Sequence, residues 1–270
     1  MMKQALFSSI LCLSLLLSAG KALALDIPPG GDALGHQLVA SQASVIAQLT
    51  FNDSTTMSFV TSVPLTGQTP SQFRLAHDSY TATAQWVTGG YYLLFLATNE
   101  RGELVLATSV HSIVAASLQQ AESYRLAIGS YQQSREDPRA FKRVALALVD
   151  SSVPYLRYSA MADLARRGLF TADDGPVLSQ LASASTAAPS QPEVRKLAMR
   201  QLGTLKLRAY ADQLGSVLGN AAEPTSTRLA ALDGLIFMGS TDVIRRHAGS
   251  VGASASPKLK ARMMEALDAQ

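Results

Sequence analysis

The chain has 270 residues, 47% of them hydrophobic and 16% charged, with 23 Lys and Arg against 20 Asp and Glu. That length allows one or two domains, each with a core large enough to stand without cross-links. A single cysteine, Cys12, excludes an intrachain disulfide framework and a thiolate metal site.

The first 24 residues are predicted to lie outside the fold. Lys3 supplies a small positive region, Ala5 to Leu17 is mostly apolar, and Ala22-Leu23-Ala24 forms an A-x-A pattern. This is the order of a secretory signal peptide spanning residues 1–24 and cut before Leu25. The apolar run is shorter than the roughly 20 residues of a spanning helix, and Ser8, Ser9, Ser14 and Ser18 interrupt it. Cys12 lacks the small-residue context of a lipid anchor. Cleavage would remove Cys12, Lys3 and Lys21 and so exclude thiol catalysis. It would leave 21 basic against 20 acidic residues, so the precursor pI of 9.0 is no nucleic-acid signature. The expected location is exported, periplasmic first and secreted otherwise, with no transmembrane segment in the mature chain.

Charge divides the remainder. Asp26 to Ser130 has three arginines against seven carboxylates, whereas Tyr131 to Gln270 has 18 basic and 13 acidic residues. Such asymmetry fits two domains.

Residues 25–116 read as a β-barrel domain. Pro28-Pro29-Gly30-Gly31 marks an irregular lead-in, and Ala33 to Val39 holds a turn or two of helix. Ala43 to Phe51 alternates, with Val45, Ala47, Leu49 and Phe51 on one face. After an Asn52-Asp53-Ser54 turn, Met57 to Leu65 alternates again. Gln72 to Ala76 is a third strand and Thr81 to Val87 an uncertain fourth. Gly89-Gly90 introduces Tyr91 to Ala97, apolar enough for burial on both faces. Asn99 to Gly102 reads as a hairpin loop with glycine at a positive-φ position, and Glu103 to Val110 as the returning strand. Five or six short strands of this kind make a small barrel or sandwich.

The order Val45-Ile46-Ala47-Gln48-Leu49, Leu65-Thr66-Gly67, then Gly89-Gly90-Tyr91-Tyr92-Leu93-Leu94-Phe95-Leu96 resembles the netrin/TIMP-like variety of the OB-fold. The resemblance covers roughly residues 33–115 and implies a binding fold. It does not carry metalloprotease inhibition, because the family's N-terminal cysteine is missing. Trp86, Tyr91, Tyr92 and Phe95 are expected as core and rim residues. An acidic domain lacks the basic groove that phosphates require, so no nucleic-acid partner is expected.

Residues 117–136 form a connecting helix and linker, and 137–270 a helical repeat domain. Arg157-x-x-Ala160-x-x-x-Leu164 recurs at Arg195-Ala198-Leu202, Arg228-Ala231-Leu235 and, weakened, Lys260-Met263-Leu267. The copies start 38, 33 and 32 residues apart, and steps of three and four place each set on one helical stripe. Pro154, Pro192, Pro224 and Pro257 precede them. A proline inside a helix costs about 3 kcal/mol, so each marks a helix start. Asp137-Pro138 starts a further helix. Thr171 to Asp174, Tyr210 to Leu218 and Thr241 to Ala248 supply the intervening helices. Asp173 and Asp174 are explained by the dipole of a first turn. The period and pairing resemble HEAT-like α-solenoid repeats, in which Arg157, Arg195 and Arg228 match the family's basic position in the second helix. The fold class is therefore two-domain, all-β then all-α: a small OB/netrin-like barrel followed by a HEAT-like solenoid of about four helix pairs.

No catalytic constellation stands out. His36, His77, His111 and His247 are scattered, no nucleophile elbow or phosphate loop is present, and no cofactor or metal site is expected. Arg157, Arg195, Arg228 and Lys260 are expected to pair with loop carboxylates of neighbouring repeats and tie repeat to repeat. Arg166, Arg167, Lys196, Arg200, Arg245 and Arg246 are expected to be more exposed and are the candidate partner-binding residues. The expectation is an exported, non-enzymatic interaction protein that binds a protein partner of the cell envelope through its repeats. The alternatives are a binder of an anionic envelope polymer, or a hydrolase or inhibitor without a motif. Oligomeric state is left open by the sequence.

Overall fold

The computed structural model describes residues 33–78, 81–82, 86–108, 112–183 and 192–268. The expected signal peptide, the lead-in at 25–32 and His111 lie outside them. The chain divides into two compact units, Met1–Gly129 and Ser130–Gln270. All the strands and one short helix lie in the first unit and most of the helices in the second, with one helix crossing the division.

Helix α1 (Leu34–Ala40) precedes β1 (Ala43–Asn52), β2 (Thr56–Thr66), β3 (Gln72–Ala76), β4 (Tyr91–Thr98), β5 (Leu104–Leu106) and β6 (Ile113–Ala116). All pairings are antiparallel, in the order β3-β2-β1-β4-β5. The outer edge of β4 is shared: Tyr91 to Leu94 pair with β6, and Leu96 to Thr98 with β5. β3 and β5 approach one another, so the sheet is nearly closed. Its interior packs Val45, Ala47, Leu49, Met57, Phe59, Phe73, Leu75, Tyr92, Leu94 and Leu96. Leu93 and Phe95, on the opposite face of β4, are buried too, as the apolar run predicts.

Bulges give the sheet its curvature. Leu49 faces Phe59 but Phe51 faces Ser58, so Thr50 is an extra residue in β1. Directly opposed residues share a face, and Phe51 is thereby turned away from the core, 53% exposed. The expected inward alternation thus ends at Leu49. In β2, Ala47 faces Thr61 and Ile46 faces Val63, so Ser62 is extra and the alternation from Met57 to Leu65 breaks after Thr61. The returning strand after Gly102 (φ 78°) is only three residues long, and β6 follows as a separate strand that alternation did not reveal. Where described, residues 81–87 are turn and irregular chain. Trp86 donates its indole N–H to the Thr81 carbonyl at 2.7 Å and packs edge-on against Tyr92.

The helices are α2 (Ala121–Ser134), α3 (Pro138–Leu148), α4 (Pro154–Arg166), α5 (Gly175–Ser183), α6 (Pro192–Thr204), α7 (Ala211–Gly219), α8 (Thr225–Met238), α9 (Thr241–Ser254) and α10 (Pro257–Asp268). Pro138, Pro154, Pro192 and Pro257 are first residues of helices, and Pro224 is the cap before α8. Asp137 accepts the N–H groups of Arg139 and Ala140, as an N-cap should. Contacts run α4 to α6 to α8 to α10 in one layer, and α7 to α9 in the other, where Gln213 of α7 donates to the Ser179 carbonyl of α5 at 2.8 Å. The Ala and Leu positions of the first three stripe copies are fully buried.

The tightest crossing is α6 with α8. A Cβ on Gly203 would lie 2.5 Å from the Gly234 carbonyl oxygen and 2.6 Å from its Cα. Backbone meets backbone there. Gly203→Ala improves helix propensity by about 1 kcal/mol, yet overpacking costs about 1–3 kcal/mol. A net loss of stability is expected in urea unfolding. Gly249→Ala, in α9 with open space at the Cβ position, is expected to gain about 0.5–1 kcal/mol in the same assay.

Candidate interaction surface

The repeated arginines do one job. Arg157 donates from Nε and Nη2 to the Ser151 carbonyl, just past α3, at 3.0 and 2.7 Å. Arg195 Nε donates to the Ala182 carbonyl of α5 at 2.9 Å, and Arg228 Nε to the Leu218 carbonyl of α7 at 2.8 Å. The last carbonyls of a helix have no intrahelical donor and carry partial negative charge. Each arginine supplies both a donor and a cation to the end of the helix before it. All three of these bonds tie a pair internally, a role that the expected pairing with loop carboxylates did not include. Arg195 also reaches on to the next repeat, as expected, forming a two-pronged pair with Glu223 at 2.7 Å in the segment before α8. Lys260 is exposed and caps nothing among the described residues.

Repeat is joined to repeat elsewhere. Lys142 of α3 meets Asp174 at 2.6 Å, Asp212 of α7 meets Arg246 of α9 at 2.6 Å, and Asp233 of α8 lies between Arg200 of α6 (3.7 Å) and Arg262 of α10 (3.4 Å). Asp174 is more than a first-turn anion. It is buried and accepts the Thr171 N–H, the Thr171 hydroxyl and the Lys142 ammonium. Burial pushes its carboxyl up, but the Lys142 and Thr171 hydrogen bonds outweigh that and hold it below its ordinary value of 3.8.

The six candidate partner-binding residues do not converge. Lys196 is buried and paired with Glu193, against the expectation of exposure, because it lies on the inner side of the first turn of α6. Arg167 stacks 3.7 Å from the Phe141 ring centroid and donates to the Arg135 carbonyl. Arg200 and Arg246 are ion-paired and exposed, on opposite layers. Arg166 and Arg245 are exposed at separate helices. What the layer of α4, α6, α8 and α10 presents instead is α8, whose residues from Leu229 to Met238 are apolar except for Asp233. Leu229 and Ile236 are half-buried on it, and Phe237 is 50% exposed. This patch adjoins the Arg200–Asp233–Arg262 row. Charge counting overlooked it, yet opposite charges at one repeat spacing were a usable signal: Arg262 and Asp233 are 29 residues apart, Lys142 and Asp174 32, Arg246 and Asp212 34.

In the first unit, Thr50, Phe51, Ser58, Val60, Gln72 and Arg74 line an open depression. His77 Nε2 donates to Asn52 Oδ1 and the Asp53 carbonyl, at 3.0 and 2.9 Å, which pins β3 to the β1–β2 turn. Asp78 accepts the N–H and the hydroxyl of Thr81. Among the described residues no group of His, Cys, Asp and Glu is placed to hold a metal ion, and no helix is long and apolar enough to cross a membrane. No protein-family model matches the chain, and no curated protein or solved structure is similar to it at a significant level.

Breaking a buried pair leaves an uncompensated charge and costs about 3–5 kcal/mol. Arg195→Met, at a pair whose side chains are 9% and 11% exposed, is expected to lose that much by urea unfolding. Arg200→Met, on an exposed and longer pair, is expected to stay within about 0.5 kcal/mol of wild type. Asp174 sets a pH dependence. A carboxyl with a lowered folded pKa stabilises above its unfolded value and loses that stabilisation as pH falls through the folded one. The stability advantage of wild type over Asp174→Asn is therefore expected to shrink below about pH 3.8, measured by thermal melts between pH 7 and 2.

Proposed function

We propose that the protein is an exported, non-enzymatic interaction module whose helical repeats hold a protein partner of the cell envelope. The supporting observation is the α8 face: Leu229, Ile236 and Phe237 beside a charged row spanning α6, α8 and α10. A large apolar side chain rimmed by fixed charges is the usual anatomy of a protein contact. The two-layer stack of helix pairs fits the HEAT-like resemblance, and such stacks present extended surfaces for partners. The nearly closed barrel fits the netrin-like OB resemblance and supplies a second binding fold. Export rests on the leader pattern at residues 1–24.

A photo-crosslinking residue at position 237, used in the native compartment, is expected to capture a discrete partner. Phe237→Glu is expected to lower retention of that partner at least tenfold, while the melting temperature moves by no more than about 2 °C. Undiminished retention by the folded variant would remove the α8 face from consideration.

A further inference from the structure

Helix α10 is charged the wrong way round for a helix standing alone. Lys258 and Lys260 lie in its first turn and Asp268 at its last position, with no acid in the first turn and no base in the last. Helix N-termini favour anions and C-termini cations. Lys260 and Asp268 are both exposed. Neither makes a side-chain hydrogen bond or ion pair among the described residues.

The same helix leaves a stacking face open. Four residues after each stripe arginine stand Met161, Met199 and Leu232, all fully buried. The equivalent of these after Lys260 is Met264, which is 60% exposed. In α6 this face is the one that meets α8: the Met199 carbonyl would lie 2.7 Å from a Cβ on Gly234, and Gly203 touches Gly234 directly. In α10 the corresponding residues are Met264 and Asp268. Lys260, Met264 and Asp268 follow at steps of four and share one side of the helix, with the small Ala261 beside them.

This stripe is symmetric about its centre: a cation, an apolar side chain, an anion. We propose that α10 is a dimerisation helix, packing antiparallel on α10 of a second copy about a two-fold axis through Met264. Met264 then meets the partner's Met264, Lys260 meets the partner's Asp268, and Asp268 meets the partner's Lys260. Such a contact is isologous and closes on itself. A parallel arrangement would set lysine against lysine. The antiparallel one also brings each Lys260 to the partner helix's C-terminus and each Asp268 to its N-terminus, where the dipole favours them. A single helix pair sits at the low end of interface size, below about 1,200 Å², so the dimer is expected to be weak and concentration-dependent.

Sedimentation velocity on the purified chain across about 1–500 μM tests this, with protein–protein encounters of this size falling toward the micromolar range and weaker. Wild type is expected to shift from monomer to dimer with concentration, and Met264→Glu to remain monomeric. Lys260→Glu and Asp268→Lys are each expected to weaken self-association at least tenfold. Mixed together, these two variants are expected to form a heterodimer, and the double variant K260E/D268K is expected to self-associate again. Circular dichroism melts confirm that each variant is folded. A wild type that stays monomeric throughout, or a dimer indifferent to these substitutions, overturns the proposal. So does a folded charge-swapped variant that does not re-associate.

Discussion

Each of the first three complete helix pairs depends on a charge-assisted hydrogen bond from the second helix to the end of the first. Arg157, Arg195 and Arg228 occupy the same place in their helices and aim Nε at a carbonyl that the preceding helix cannot satisfy itself. The bond fixes where the first helix stops and how far along the second it lies. A buried carbonyl without a donor is costly, and lysine, with a compact ammonium, cannot reproduce the guanidinium fork. The Ala and Leu that follow then fall into the layer between helices. The motif is thus a register device, in which one polar contact sets the position of two apolar ones.

Once each pair has a fixed internal register, pairs can be stacked closely. The approach of Gly203 to Gly234 leaves no room for a side chain between α6 and α8. On the other layer the His247 ring lies against Gly215 and Gly219 of α7. Polar contacts spaced by one repeat then hold neighbouring helices at the surface: Lys142–Asp174, Arg200–Asp233–Arg262 and Asp212–Arg246. The exposed ones contribute little stability individually. Their effect is on which ridge of one helix meets which groove of the next, and hence on the spacing of the side chains a partner would meet.

Much of the architecture was legible in the sequence because proline and the arginine stripe punctuate it. The helix starts at Pro138, Pro154, Pro192 and Pro257 follow from the cost of proline anywhere else. The strands were legible as long as they alternated. Alternation failed at Thr50 and Ser62, where a bulge reverses the faces without changing composition. The carbonyl partner of each arginine was not legible, since every residue offers a carbonyl and only the fold selects one. Lys196 looked exposed because it is charged; its place on the inner side of the first turn of α6, beside Glu193, depends on how that helix is rotated. Phe237 was hidden for the opposite reason, because an apolar residue on an apolar helix looks like core.

At least eight of the 18 basic residues of the helical half have partners inside it. Three arginines end helices, Lys142 and Lys196 neutralise buried or half-buried carboxylates, and Arg200, Arg246 and Arg262 pair with acids on neighbouring helices. Charges neutralised by an opposite charge at close range project little field beyond a Debye length of about 8–10 Å. Recognition of the proposed protein partner would rest on shape and apolar contact, with the paired charges setting orientation at the rim. The side chains that join the repeats and the apolar ones proposed for a partner lie close together because both need a helix layer whose register is fixed.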